Sequence, residues 1–303
     1  MKKKVIRIIS FGGLGDVLLS TPIFGALKRK YPNSRIIVYC IRKIDREIYR
    51  NNPHIDELRS SSFFVNPIAY TKYYFKLTKF HWLNYPNYSP SLTYEKSAAR
   101  IIADMVDAEL EDPRLEVYLT NEEDKRGKAK LAPFPNPIAI HITSSTSDNQ
   151  NWPLKNWEEL VKSMPQYTFI QLGLSGEDKV EGAVDFRGTT SFREALSILK
   201  NSMSFVGVVS SFAHATSAVA TPGVVLFGPS SPQVWGHANN INLYKDLRCA
   251  PCIDHLQSSP CPYGKPCLTT ITVEEVRDAL LSQLATRGVK GPVGLNSRDR
   301  FVP

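Results

Sequence analysis

Short apolar runs recur along the chain, each followed by a turn and then by residues at helical spacing. Residues 4–10 are β-rich, Phe-Gly-Gly-Leu-Gly-Asp (11–16) is a turn, and 17–30 carries helical periodicity. Tyr-Pro-Asn (31–33) breaks the chain before the strand-like run 35–40. This βαβ order implies parallel pairing. Pro22 inside the helical stretch predicts a kink or a restart. Residues 60–95 lack a period and interleave aromatic rings with Lys72, Lys76 and Lys79. They read either as a loop-rich core or as a platform for an acceptor or a membrane surface. Helical spacing returns over 91–108, and 115–119 looks like a strand.

Charged residues followed by Ala-Pro-Phe-Pro-Asn-Pro make 124–137 a stiff linker. Alternation then restarts, with strands at 138–142, 167–172, 204–209 and 223–227. Helical segments run through 157–163, over 192–201, over 212–220 and over 273–284. The expected architecture is α/β: two doubly wound halves, 1–132 and 133–285, with a tail at 286–303. Ligand is expected in a cleft between the halves, at the carboxyl ends of the strands.

Composition narrows the class. The 303 residues are 42% hydrophobic and 22% charged, which excludes collagen, coiled coil and wholesale disorder. No apolar run approaches the ~18 residues of a membrane span. Arg7 and Asp16 interrupt what would be the apolar part of a signal peptide. The expectation is a soluble cytoplasmic protein, with peripheral contact at the inner membrane face if the acceptor is a glycolipid. Net charge is 37 − 29 = +8, which favours anionic partners. The positive residues are scattered rather than gathered in a stripe, which argues against nucleic acid. The fingerprint spacing of NAD-dependent dehydrogenases is missing.

Two turns concentrate the candidate chemistry. Gly12, Gly13, Gly15 and Asp16 lie between a strand and a helix, where glycines allow close approach and helix N–H groups suit an anion. Asp16 is either a helix cap or a general base taking a proton from a hydroxyl acceptor. Ser210 and Ser211 occupy another strand-to-helix turn whose hydroxyls and N–H groups suit a diphosphate. His214, one turn into that helix, is either a core residue or a ligand contact. Gly228 and Pro229 end a strand at the same edge and suggest a floor for a nucleotide.

Gly-Gly-Leu-Gly-Asp-Val-Leu-Leu-Ser-Thr-Pro, His-Ala-Thr-Ser-Ala-Val-Ala-Thr-Pro, Leu-Phe-Gly-Pro-Ser-Ser-Pro, Trp-Gly and the cysteine-rich segment that follows recur in order. In that order they resemble glycosyltransferase family 9, the heptosyltransferase-like enzymes of lipopolysaccharide core assembly. The resemblance implies two facing Rossmann-like domains of GT-B type, with acceptor on the N-terminal half and nucleotide-sugar donor on the C-terminal half. It implies a metal-independent inverting transfer with Asp16 as base and a saccharide or glycolipid as acceptor. It places Ser210, Ser211 and His214 toward the donor and Thr143 and Ser144 near its phosphates. Glu177 falls where an acidic residue grips the ribose, or else is a solvated surface residue. Two departures stand out: Val209-Ser210-Ser211 replaces the usual Asp-Ser/Thr-Gly, and Gln150 stands where a lysine is common. A missing cation weakens leaving-group stabilisation, so a non-catalytic nucleotide-sugar or glycan binder is the alternative function.

Cys249, Cys252, Cys261 and Cys267 form C-x2-C-x8-C-x5-C among prolines 251, 260, 262 and 266. Four soft donors on a short loop suit a closed, structural Zn or Fe knuckle. Reduced thiols and disulfides are the rivals. No cofactor is expected for catalysis. Cys40, ending a strand, reads as a small buried hydrophobe.

Overall fold

The computed structural model describes residues 4–10, 12–60, 80–83, 96–253 and 259–287. Most of the aromatic stretch and the tail after 287 lie outside the described residues. The chain divides into two compact units, Met1–Thr120 and Asn121–Pro303.

The first unit runs β1 (Val5–Ser10), α1 (Leu14–Leu19), α2 (Pro22–Lys30), β2 (Arg35–Cys40), α3 (Lys43–Tyr49), β3 (Glu57–Ser60), β4 (Phe80–Leu83) and α4 (Ala98–Asp104). Its strands are all parallel, in the order β3-β2-β1-β4. Ile8, Ile9, Leu18, Ile23, Phe24, Val38 and Ile101 are buried in the core. The helical stretch after the glycine turn is broken where Pro22 requires it. Ser20 and Thr21 hydroxyls donate to the carbonyls of Val17 and Leu18, and Pro22 opens α2, where its missing N–H costs nothing. The buried Tyr49 hydroxyl bridges Ser10 Oγ (3.0 Å) and Ser20 Oγ (2.7 Å), tying the end of β1 to the end of α1.

The segment 115–119, expected as a strand, joins no ladder among the described residues. Its polar groups are taken by side chains instead: the Glu116 N–H donates to Thr21 Oγ1 at 2.8 Å, and the Tyr118 carbonyl accepts from Asn51 Nδ2.

The second unit begins with α5 (Asn121–Leu131), which occupies much of the expected linker. α5 approaches α7 (Phe192–Asn201) closely because Gly127 has no side chain: a Cβ there would lie 2.1 Å from Ser197 Oγ. A buried bidentate pair, Glu123 with Arg193, completes the contact at 2.7 Å for both bonds. The division therefore falls at 120/121 rather than at 132/133.

The rest of the unit runs β5 (Pro137–His141), a 3-10 turn (Asp148–Gln150), α6 (Leu154–Ser163), β6 (Thr168–Gln171), β7 (Val184–Asp185), α7, β8 (Ser204–Val208), α8 (Ser211–Ala218), β9 (Gly223–Phe227), α9 (Pro232–Trp235), β10 (Asn240–Tyr244), α10 (Pro266–Thr269) and α11 (Val273–Arg287). The six strands are parallel in the order β10-β9-β8-β5-β6-β7. Ile138, Ile140, Trp157, Phe169, Val206, Val224 and Leu280 form its core. Among the described residues no helix is long and apolar enough to cross a membrane.

Candidate active site

Each sheet has one place where the chain leaves neighbouring strands toward opposite sides. In the first unit it lies beside β1, which pairs with β2 on one side and β4 on the other. In the second it lies between β5 and β8. Ligands of parallel α/β sheets bind at the carboxyl ends of such strands. Asp16 follows β1; Thr143 and Ser144 follow β5; Ser210 and Ser211 follow β8.

Asp16 is half-buried in the first turn of α1. Its Oδ2 accepts the Gly13 N–H at 2.7 Å, and no other side chain among the described residues bonds the carboxylate. Gly13 cannot return the bond with a side chain, so this is half of a capping box. Gly12 makes it possible: its φ is +113°, and a Cβ there would lie 2.6 Å from Asp16 Oδ2. Burial pushes the Asp16 carboxyl above its ordinary value of 3.8, against the Gly13 N–H and the Arg42 charge, which pull it down. Cap and base are thus compatible: one oxygen holds the turn, and a carboxylate with a raised pKa is the better proton acceptor.

The second unit gathers a polar cluster at its switch point. Ser210 is the N-cap of α8, yet its side chain makes no cap bond. Its Oγ lies 3.0 Å from His141 Nδ1. The other ring nitrogen of His141 stands 3.4 Å from Glu177 Oε2, and the ring packs on Phe212. That distance gives an ion-pair contact, and Oε2 takes no hydrogen bond among the described residues. Burial pushes Glu177 up, but His141, a Leu174 backbone hydrogen bond and the Thr143 hydroxyl together hold it below 4.5. Glu177 is therefore part of the cluster and not a solvated surface residue. Gly173 clears space for it, since a Cβ there would lie 2.3 Å from Oε2.

Ser144 is buried; its hydroxyl accepts from Gln150 Nε2 at 2.8 Å, and its N–H donates to Asn151 Oδ1 at 2.8 Å. Ser211 is the first residue of α8. His214 is buried, with Nδ1 2.9 Å from His237 Nε2 and its ring against Trp235. Burial lowers both imidazoles, His237 to about 4, so each is neutral at physiological pH. No sequence signal singled out His237, and Ser230 was visible only as part of Leu-Phe-Gly-Pro-Ser-Ser-Pro; the partners of both lie on remote segments. For His141 the one available signal was a lone histidine at the end of the β5 run.

Gly228 and Pro229 lie beneath the cysteine loop. A Cβ on Gly228 would meet Leu268 at 2.7 Å, and the Pro229 carbonyl accepts from the N–H groups of Cys252 and Ile253. Asn149 fastens the same loop from the other side, donating to the Ser259 carbonyl at 2.8 Å and accepting from the Cys261 N–H at 3.0 Å. All four cysteines of the loop are free thiols. They feel one another's charge, which with burial as the larger cause raises Cys252 and carries Cys267 to about 11. The donor chemistry suits Zn or Fe. As placed, however, no three His, Cys, Asp or Glu side chains among the described residues are gathered to hold a metal ion. As placed, the four-cysteine set read from the spacing is thus not gathered round one point, and Cys267 is buried in α10.

Two parallel α/β units, each with polar groups at its switch point, form the GT-B fold of nucleotide-sugar transferases. The chain is similar to the E. coli ADP-heptose LPS heptosyltransferase II, with a TM-score of 0.72 at 13% identity, covering 94% of this chain and 100% of that one. It is also similar to TibC, an iron-containing dodecameric glycosyltransferase from enterotoxigenic E. coli H10407, with a TM-score of 0.70 at 16% identity over 95% of this chain and 78% of that one. Lipopolysaccharide heptosyltransferase 1 of Salmonella typhimurium is 27% identical over 111 residues, 33% of this chain and 35% of that protein. The match thus spans about a third of that relative's length. The model of glycosyltransferase family 9 (heptosyltransferase) matches residues 92–262. The chain belongs to this family.

Proposed function

We propose that this protein is an inverting glycosyltransferase. It moves a sugar, a heptose or a relative of it, from a nucleotide-diphosphate donor to a saccharide or glycolipid acceptor. In this reading the Asp16 carboxylate takes the proton of the acceptor hydroxyl. The oxygen attacks the anomeric carbon, the bond to the diphosphate breaks, and the diphosphate leaves with the electron pair. Thr143, Ser144, Ser210 and Ser211 offer hydroxyl and amide groups to the donor, and Glu177 faces its ribose. The acceptor sits on the first unit, in a cleft, and catalysis needs no metal. ADP-heptose, named for the similar heptosyltransferase II, is the first donor to test. A glycolipid acceptor would bring the protein to the inner face of the membrane.

The observation that carries this reading is the half-buried Asp16, its pKa raised, one turn beyond the end of β1. The test measures nucleoside diphosphate released over a panel of donors and acceptors, with Asp16→Ala alongside. Undiminished turnover by that variant removes Asp16 from the mechanism. Donor binding without turnover for any acceptor would favour the binder reading, which rests on Val209 and Gln150.

The cysteine loop carries a structural reading. Cys249, Cys252, Cys261 and Cys267 would hold one Zn or Fe as a knuckle bracing the turns at 148–150 and 228–230, with no part in the transfer step. Elemental analysis should find about one metal per chain, and chelation should lower the melting temperature. A metal-free preparation with unchanged melting would overturn it.

A further inference from the structure

A chain of three buried side chains runs through the second unit. The Ser230 hydroxyl donates to Gln150 Oε1 at 2.6 Å, and Gln150 Nε2 donates to Ser144 Oγ at 2.8 Å. All three residues are at most 4% exposed. Ser144 Oγ also faces the Thr146 N–H at 3.4 Å, so its acceptor capacity is engaged. A hydroxyl has one proton and two lone pairs. The proton of Ser144 remains, and no acceptor for it is found among the described residues. A buried donor without a partner is costly, and an anionic oxygen is the acceptor that relieves it best.

Resting on the donor site proposed above, we propose that Gln150 is a positioning residue: it fixes the direction of this neutral chain so that Ser144 presents its proton to a phosphoryl oxygen of the donor. A lysine at 150 would bring charge but could accept nothing from Ser230. A glutamine both accepts and donates, so it transmits direction along the chain. The site then holds the diphosphate by a directed hydroxyl where relatives commonly place a cation.

The decisive variant is Gln150→Glu, which keeps shape but offers two acceptors, so Ser144 must turn its proton toward residue 150. ADP-heptose, UDP-glucose and GDP-mannose are titrated calorimetrically against the full chain at pH 8 and pH 5.5; none of these diesters ionises at phosphate in that range. At pH 8 the variant should bind about ten-fold or more weakly than wild type. At pH 5.5 the introduced carboxyl, once protonated, regains one donor and one acceptor, so the gap to wild type should narrow. Ser230→Ala, which frees Gln150 to turn over, should weaken binding about three-fold. Wild-type-like affinity for Gln150→Glu at pH 8, or a gap that ignores pH, overturns the proposal. If Gln150→Glu does not fold, Ser230→Ala decides, and unchanged affinity there overturns it. Binding of none of the three by wild type removes the donor site itself, a separate failure that takes the proposal with it.

Discussion

Replacing Gly12 by alanine tests how the glycine turn holds Asp16. The added methyl meets two obstacles. Gly12 sits at φ +113°, a conformation that strains an L side chain by about 1–3 kcal/mol. The new Cβ would also lie 2.6 Å from Oδ2, 2.8 Å from Cβ and 2.9 Å from Cγ of Asp16, far inside contact distance. Relief requires the carboxylate to swing away and surrender the 2.7 Å bond from the Gly13 N–H, worth roughly 1.5–3 kcal/mol for a charged acceptor. The two costs are alternatives in part, so a total of about 2–4 kcal/mol is expected. Thermal melting reads the stability loss, and nucleoside diphosphate release reads the chemistry. A displacement of about 1 Å at a reacting group can cost on the order of 100-fold, so Gly12→Ala should lose more activity than its melting shift explains. Near-wild-type turnover together with near-wild-type melting would refute the account of this turn.

Glu123→Ala leaves the buried Arg193 guanidinium without its carboxylate and should destabilise by about 3–5 kcal/mol in denaturant unfolding. Glu123→Met with Arg193→Met should cost much less, and equal costs would contradict the pairing argument. Acid should destabilise the fold through His237. Its pKa is lowered to about 4 in the folded protein, whereas the unfolded chain protonates near 6.5. Stability is therefore full above 6.5 and falls as pH drops from there toward 4, by up to roughly 3 kcal/mol. Melting between about pH 7.5 and 5 should show the fall and His237→Phe should make it shallower, with the buried His214 carrying the remainder; equal slopes would reject the assignment.

Much of the fold was legible in the sequence because buried parallel strands announce themselves as apolar runs. β1, β2, β5, β8 and β9 all read this way, and the turns after β1 and β8 located Asp16 and Ser210. The edges were not legible. β3 is Glu-Leu-Arg-Ser, and its Glu57 is ion-paired with Arg35 and Arg59, so it has little apolar pattern to see. α5 is almost wholly polar and holds its place through Glu123 and Gly127, whose partners lie about 70 residues away. The run 115–119 had the alternation of a strand but finds side-chain partners in place of a neighbour. The site shows the same limit. Only the family resemblance pointed to Thr143, Ser144 and Glu177, and the hydrogen bonds around them depend on His141, Gln150 and Ser230, which meet only in the folded sheet edge.

The central claim is that Asp16 takes the acceptor proton, and the pH dependence of kcat/KM for sugar transfer tests it most directly. A base must be ionised to act, and burial raises this carboxyl above its ordinary 3.8. The rate of the wild-type protein should therefore rise with pH along an acid limb centred above that value. In Asp16→Asn, which keeps an acceptor for the Gly13 N–H, the limb should vanish and the rate should fall by about 100- to 10,000-fold. An Asp16→Asn protein that retains the limb and most of its rate would contradict the claim.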